Sequence, residues 1–329
     1  MAEVLMNRPP AITWHRLRAN GTVVELPGAA PLGTPDARGW LAANTTARRQ
    51  VELVPGKEAE VQVDLDAVAG EVAVHAVDVV APAGARGRVT IHVDGEGAED
   101  AQASTLGAAI RVKAEAGAKV ELELLQTLGT GFTYVENVDL ELAEGARITL
   151  SQTELGASRT FAGVAAELAG DAADAEFDLR YLGRGDAQLD FNYALRQTGR
   201  DTHVNLVANG ILADEARKTL RDTIDLVHGC SGSVGAETET VLLLGERTSN
   251  ISLPVILCDE DDVQGTHGAT IGHVNADQLD YLASRGLDEA EIEALFFGAV
   301  YDLAASRAHT EKARAAIERL RGALAEGEE

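Results

Sequence analysis

Ala116-Gly117-Ala118-Lys119-Val120-Glu121-Leu122-Glu123-Leu124 is the stretch whose reading decides the fold. A glycine turn leads into a segment where Val120, Leu122 and Leu124 alternate with Glu121 and Glu123, the period of a half-buried β-strand. The turn phrase recurs as Pro55-Gly56-Lys57, Ala83-Gly84-Ala85-Arg86 and Glu144-Gly145-Ala146-Arg147, with the glycines 28, 33 and 28 residues apart. Each copy ends in a charged residue and enters a strand. Glycine suits a left-handed or tight turn that a Cβ would penalise. A turn-plus-strands unit repeating at this length is a solenoid signature.

Outward from that unit the alternation continues. It appears in Val61-Val63-Leu65, Val89-Ile91-Val93, Phe177-Leu179-Tyr181 and Leu189-Phe191-Tyr193, and no helical stripe interrupts it between about residues 50 and 257. The chain is therefore mainly β, and the pattern alone fits a β-helix and a sandwich of hairpins equally. Residues 1–47 hold five of the eight prolines and the turn-prone run Gly28 to Asp36, so an irregular N-terminal arm is expected there, with an apolar anchor at Trp40-Leu41. The tail changes period. Asn275 with Gln278 and Asp288 with Glu291 form capping boxes, and Gly286 stops the first helix. Ile292, Leu295, Phe296, Ala299, Val300 and Leu303 fall at helical spacing, and Ile317, Leu320 and Leu324 continue after Thr310. The expected organisation is an arm over 1–47, a β core over 48–273 and a C-terminal α-helical domain over 274–329.

Composition narrows the function. With 329 residues and 45% hydrophobic content at a mean hydropathy of -0.06, the chain can build a sizeable core. It contains no apolar run near the ~20 residues of a membrane span and no signal peptide is read at its start, so no membrane role is expected. Two cysteines make no disulfide framework, which points to reduced thiols in a cytoplasmic protein. A net charge of -25 argues against a nucleic-acid surface. No phosphate-binding loop, H-E-x-x-H or G-x-S-x-G is present, so a self-contained nucleotidase or hydrolase is unsupported.

The cysteines are the sharper feature, because thiolates are the ligands that iron–sulfur clusters and soft metals require. Cys258 lies nine residues before His267, and Cys230 stands in His228-Gly229-Cys230. Glu237 and Glu239 share one face of an alternating strand. Two Cys, two His and two carboxylates supply a mixed N/O/S ligand inventory, but no spacing matches C-x-x-C. A cysteine in a strand is more often buried as a small hydrophobe than a ligand. The acidic run Asp259 to Asp262 reads as a solvated turn and lacks the alternate-position ligands of an EF-hand. Leu295, Phe296 and Phe297 cover more than one helix face. One aromatic is expected to pack inward while the group serves partner binding.

Asp261-Asp262-Val263, then His267-Gly268-Ala269-Thr270-Ile271-Gly272, resembles the D-D-V-x-x-x-H-G-A-T-x-G of the SufB/SufD family of iron–sulfur cluster assembly proteins. Gln278 to Gly286 is similar to the family's x-L-F-Y-L-x-S-R-G. Glu289-Ala290-Glu291, Leu295-Phe296, Leu242 to Glu246 and Pro254 fit the flanking elements, so the match covers about 75 to 90 residues. The resemblance implies a right-handed parallel β-helix (solenoid) with a C-terminal helical domain, no ATPase activity of its own, and association with a SufC-like ABC ATPase through that domain. The H-G-A-T form is the SufD-like one. Gly268 stands where SufB-type chains carry Glu, Gly265 where SufD-type chains often carry Cys, and Glu239 at the strand position of a key SufB-type Cys; His267 alone matches intact. The shorter chain resembles the compact form of archaea and anaerobic bacteria, acting as a homodimer, with a SufB/SufD-like heterodimer as the other arrangement.

On that resemblance the expected function is a non-catalytic scaffold. It would carry a transient [4Fe-4S] cluster on Cys230, Cys258, His267 and Glu239 and pass it to apo iron–sulfur proteins. The rival reading is a cluster-free structural subunit of the same ATPase complex. A β-helix sugar-active enzyme of the pectinase type would need clustered catalytic carboxylates and an exported chain, and the sequence shows neither.

Overall fold

The computed structural model describes residues 1–12, 16–29, 35–96 and 104–326. Strands β1 (Ala2–Met6) and β2 (Thr22–Leu26) pair antiparallel, and helix α1 (Ala37–Asn44) follows. Next come β3 (Ala47–Glu52), β4 (Glu58–Asp66), β5 (Val72–Ala81), β6 (Arg86–Gly95), β7 (Thr105–Ala114), β8 (Lys119–Leu128), β9 (Thr133–Leu142) and β10 (Arg147–Glu154). The series continues with β11 (Arg159–Leu168), β12 (Asp174–Gly183), β13 (Gln188–Gln197), β14 (His203–Ala213), β15 (Arg217–Leu226), β16 (Val234–Leu244), β17 (Ser249–Cys258) and β18 (Gln264–His273). From β3 onward the odd strands form one eight-stranded sheet and the even strands another, each in chain order. Their pairings are parallel. The chain therefore alternates between two sheets and advances one coil per pair, which is a parallel β-solenoid and excludes the hairpin sandwich.

The repeated turn phrase sits at one corner, two residues ahead of successive even strands. Gly56, Gly84, Gly117, Gly145 and Gly232 hold this place with φ of 76, 71, 67, 61 and 81°, the left-handed region where glycine carries no Cβ penalty. Ala172 and Asp201 hold it in the intervening coils with φ of 55 and 53°. The amide of each corner residue donates to the turn of the next coil: Gly84 to Ala116 O (2.9 Å), Gly117 to Glu144 O (2.8 Å), Gly145 to Asp171 O (2.9 Å) and Ala172 to Arg200 O (2.8 Å). Asp201 to Ser231 O (3.0 Å) and Gly232 to Asp262 O (2.7 Å) extend the stack. Inside, the alternating residues meet their counterparts one coil away, Val89 beside Leu122 and Ile91 beside Leu124, all buried. Each such side chain contributes roughly 1.5–3 kcal/mol on burial.

The N-terminal region is more ordered than its prolines suggest. Ala2, Val4 and Met6 of β1 and Val24 and Leu26 of β2 alternate inward and pack with Trp40 and Leu41 on Val74, Val135 and Phe161, on the outer face of the odd-stranded sheet. The anchor at Trp40-Leu41 is buried as expected. An irregular arm is thus corrected to a strand pair and a helix, because the prolines lie between these elements rather than inside them. Residues 30–34 of the turn-prone run fall outside the described residues, as do 327–329. A buried ion pair ties this layer to the solenoid. Arg221 on β15 donates to Asp190 on β13 (2.6 Å) and to Ala19 O (2.6 Å), while Asp190 also accepts from Asn7 (2.8 Å) and Thr22 (2.5 Å).

The tail forms α2 (Ala276–Ser284), α3 (Glu289–Arg307) and α4 (Glu311–Glu326). Both capping boxes are formed, and Gly286 takes φ of 95°. Thr310 Oγ1 accepts from Ala313 N to open α4. Of the expected stripe on α3, Ile292 is buried and Phe296 and Val300 are partly buried, while Leu295 and Ala299 are exposed; the centre of the buried face is Phe297, Tyr301 and Ala304, continued by the C-cap Ala308. The helix lies between α4 and the solenoid residues Leu155, Leu182 and Leu244, so it is apolar on several sides and its stripe does not single out one direction. Among the described residues no helix is long and apolar enough to cross a membrane.

Removing one member of the Arg221–Asp190 pair strands a buried charge. Arg221→Ala is expected to lower stability by about 3–5 kcal/mol in urea unfolding. It should also speed amide exchange in residues 2–26, where a loss of stability unrelated to this tie would leave β1 and β2 no faster than the rest.

Candidate functional site: the open last coil

β17 and β18 end the solenoid, and among the described residues no further coil covers them. β17 pairs only with β15 and β18 only with β16, so each sheet presents an edge of unpaired backbone groups. Most β18 side chains are exposed, and a Cβ added at Gly268 or Gly272 would meet nothing within 4 Å.

Just inside this end lies a buried polar cluster. Glu237 and Glu239 share one face of β16, as their spacing implies, and that face is the inward one. Glu239 accepts from Lys218 Nζ, from Ser252 Oγ and from Tyr181 OH (3.2 Å), and Lys218 also reaches Ser252 Oγ (3.2 Å). Asp222, on β15 two residues before Ile224, is buried beside them. Three carboxylates thus face one ammonium. Burial, with the charge of Glu239 next, pushes Asp222 up to about 7. Burial, then Asp222 and Glu239, pushes Glu237 up to about 8. Burial pulls Lys218 down, and Glu239 acts against it. A second buried pair lies deeper, where Gln152 Nε2 donates to both Glu136 (2.8 Å) and Glu154 (3.0 Å), and burial raises both carboxyls. Tyr193 donates to Gln152 (2.5 Å) as Tyr181 does to Glu239, and these two rings stack edgewise on Phe177 and tilted on Phe191. Neither Lys218, Asp222 nor the deeper pair stood out in the sequence. Their only signal is a polar residue at an inward position of the alternation.

The sequence-expected ligands divide into two groups. His267 pairs in register with Glu237, so both extend from the same side of the even sheet, about 4.8 Å apart by strand spacing. Unlike Glu237, His267 is exposed. Glu239 is one rung further along, opposite Ala269. The cysteines lie at the corner. Cys230 is fully buried among Ile224, Leu226, Ile256 and Val263, and burial pushes its thiol up. Cys258, the last residue of β17, is exposed with its Sγ 3.3 Å from Glu260 O. Six residues separate Cys258 from Ser252, which touches Glu239, and that is about 20 Å of strand. Within one chain, therefore, His267 lies beside Glu237 with Glu239 two residues further along, and Cys258 lies about 20 Å along the strand from the Ser252–Glu239 contact. Among the described residues the group with metal-ligand geometry is Asp174, Glu176 and His203 on β12 and β14, with Arg147 bound to Asp174 through two nitrogens. Of the residues expected to bind a partner, Leu295 is 55% exposed and Phe296 partly buried. Phe297 is 2% exposed under Arg184, 4.8 Å from its ring, and is corrected to a core residue.

The chain is thus a parallel β-solenoid with a polar cluster near its open end and helices on its flank. Residues 63–300 match the family described as "SUF system FeS cluster assembly, SufBD core domain". The chain belongs to the SufB/SufD family, whose general role is iron–sulfur cluster assembly. It is similar to the iron–sulfur cluster assembly protein SufD of Bacillus subtilis, at 30% identity over 128 residues, 39% of this chain and 29% of that one. It is also similar to a chloroplastic SufBD family protein of Arabidopsis thaliana, at 24% identity over 179 residues, 54% of this chain and 32% of that one. With Escherichia coli SufD it shares 28% identity over 85 residues, 26% of this chain and 20% of that one. The chain spans less than a third of the length of these relatives.

Glu237 carries a pH consequence. Its folded value of about 8 lies above the ordinary 4.5, so the folded state holds the proton more tightly than the unfolded chain. The stability it contributes is full below about 4.5 and is lost as pH rises toward 8. Glu237→Gln is expected to flatten the fall in urea-derived stability between pH 5 and 8. An unchanged slope would show that Glu237 is ionised throughout this range.

Proposed function

We propose that this chain is a scaffold on which an iron–sulfur cluster, its cargo, is built and then passed to apo-proteins. The observation that carries the reading is the uncapped last coil. Its edge presents His267 beside the carboxylates of Glu237 and Glu239, with the exposed thiol of Cys258 on the same terminal coil. Thiolate and imidazole are fitting iron ligands. Glu237 and Asp222, held near neutrality, can release protons as cations arrive, which keeps the buried charge balanced. Lys218 occupies Glu239, so Glu239 serves as a ligand only by exchanging that ammonium for iron.

One chain does not bring the ligands together, and a dimer answers this. The edges of β17 and β18, with Ile251 and Ile271 exposed, suit a second copy or a SufB/SufD-like partner. Cys258 and His267 of each chain would then face those of the other. A SufC-like ABC ATPase is assigned to the helical domain, where Leu279, Tyr281 and Leu295 leave apolar surface in water. Hydrolysis there would supply the rearrangement for which this chain has no nucleotide loop. The place of work is the cytoplasm.

A second reading has its own support. Cys230 is sealed and its thiol raised, and Cys258 is far along the strand from Glu239, as a cluster-free structural subunit would show.

Anaerobic iron–sulfide reconstitution followed by absorption spectra and iron and sulfide analysis separates the readings. Stoichiometric cluster in the wild type is expected, with most iron lost in Cys258→Ala and His267→Ala and retained in Cys230→Ala. No cluster in the wild type, alone or with its ATPase partner, leaves the structural subunit. For the partner, Leu295→Asp is expected to weaken ATPase binding at least tenfold in calorimetric titration while melting is unchanged. Phe297→Ala should instead destabilise the helical domain by about 3–5 kcal/mol.

A further inference from the structure

The turn phrase that marks the repeat also fixes where its last residue points. Arg86, Lys119 and Arg147 open β6, β8 and β10 and stand in direct register on neighbouring strands. Their rungs are about 4.8 Å apart and their side chains extend from the same outer face, all exposed. Glu58 and Asp174 bound the row. Like charges on adjacent strands repel, and the chain has 53 acidic residues against 28 basic ones with which to avoid it. Other rows do avoid it: Glu60–Arg88–Glu121 and Asp78–Arg111–Asp139 alternate in sign. Among the described residues of the two large sheets, this is the one run of three successive Lys or Arg in register.

Two of its three members are not consumed by neighbours. Arg147 is held by Asp174, but no ion pair forms at Arg86 or Lys119 among the described residues. Of the carboxylates along the row, Arg88 takes Glu60 (3.2 Å) and Glu121 (2.7 Å), while Glu58 stands in register beside Arg86 without an ion pair to it. A shallow depression of about 340 Å³ runs along these residues.

The same sheet face shows what covers a like-charged row. At the other end of the strands, Asp66 and Asp94 are register neighbours of like charge. Helix α4 lies across them, with Lys312 on Asp64 (3.6 Å) and Asp66 (2.5 Å) and Arg319 on Asp94 (2.5 Å) and Glu96 (2.9 Å). A helix crossing the strands presents side chains at i, i+3 or i+4, and i+7 with neighbours 5–6 Å apart, which suits a 4.8 Å ladder.

We propose that Arg86, Lys119 and Arg147 form a docking site for the acidic face of a partner protein's helix, laid across the strands as α4 is at the opposite end. The ladder supplies position more than affinity, because exposed ion pairs are individually weak and salt-screened.

The test is fluorescence anisotropy at about 20 mM salt, where screening is weak, with a labelled synthetic helix carrying glutamates at i, i+4 and i+7. An isomer of the same composition has its glutamates spread around the helix. The single-faced peptide is expected to bind better than the isomer. Its affinity should drop roughly tenfold for Arg86→Glu/Lys119→Glu, the worth of two exposed pairs, and fall as salt rises. Arg86→Gln/Lys119→Gln, which removes charge without reversing it, guards against misfolding and should weaken binding in the same direction. No binding, equal binding of the two isomers, or affinity unchanged in both double variants would overturn the proposal. Tighter binding of inorganic tripolyphosphate than of the peptide would also overturn it, and would make the ladder a small-anion site.

Discussion

The corner amide that donates from one coil to the turn of the next is the constraint on which the rest depends. A left-handed residue holds the position two before each even strand from β4 to β16, and the bonds its amide makes hold successive coils against slipping past each other. A one-residue slip would turn every inward valine and leucine outward. The corner stack therefore sets register, and register sets which side chains line the core. The cost is visible where glycine is missing. Ala172 and Asp201 hold left-handed φ in the middle of the solenoid, a conformation disfavoured by roughly 1–2 kcal/mol for residues with a Cβ. Packing of the coils on both sides offsets it.

A stack of this kind has no internal reason to stop, and its last coil inherits a problem. Every earlier coil buries its inward residues under the next one. The last coil, β17 and β18, has no next one among the described residues, and one coil inside it the inward positions turn from Val and Leu to Lys218 and Asp222 on β15 and Glu237 and Glu239 on β16. Polar residues at inward positions lower the penalty of an open end. They also concentrate ionisable groups where solvent and a partner can reach them. Termination of the fold and the gathering of buried ionisable groups one coil inside it are thus linked by the same physical constraint.

Much of this was legible in the residues. The period-two alternation and the glycine corners gave strands and repeat, and the H-G-A-T block gave the family. The β-helix could not be told from a sandwich until that resemblance was added, because alternation reports which face is buried and says nothing about which strand is adjacent. The later coils escaped the repeat reading because Ala172 and Asp201 replace the corner glycine. The N-terminal strands escaped because five prolines dominate a region whose short ordered pieces lie between them. The α3 face was misphased by about one residue because that helix is apolar on several sides. At the site, the shared face of Glu237 and Glu239 followed from their spacing, and its inward direction did not. The separation of Cys258 from Glu239 did not, since residues nineteen apart in sequence lie on different sheets and their distance is set by position along the strand.

Charge placement follows from the same architecture. In a parallel solenoid each outer position is flanked by its equivalents in the coils above and below, so a repeat that keeps a charged residue at one place builds a row of like charges unless the sequence drifts. Drift to opposite sign is the inexpensive remedy, and Glu60–Arg88–Glu121 shows it. Covering the row with a helix is the other, and α4 shows that at Asp66 and Asp94, where docking the tail contributes both apolar burial of Ala313 and Ile317 and neutralisation of the acids. Retaining such a row uncovered is the one arrangement that repetition alone does not stabilise. Arg147 is relieved by Asp174, and the charge repulsion that remains between Arg86 and Lys119 is a standing cost in the isolated chain. An acidic surface laid over them removes it, and the energy released is available only in the complex.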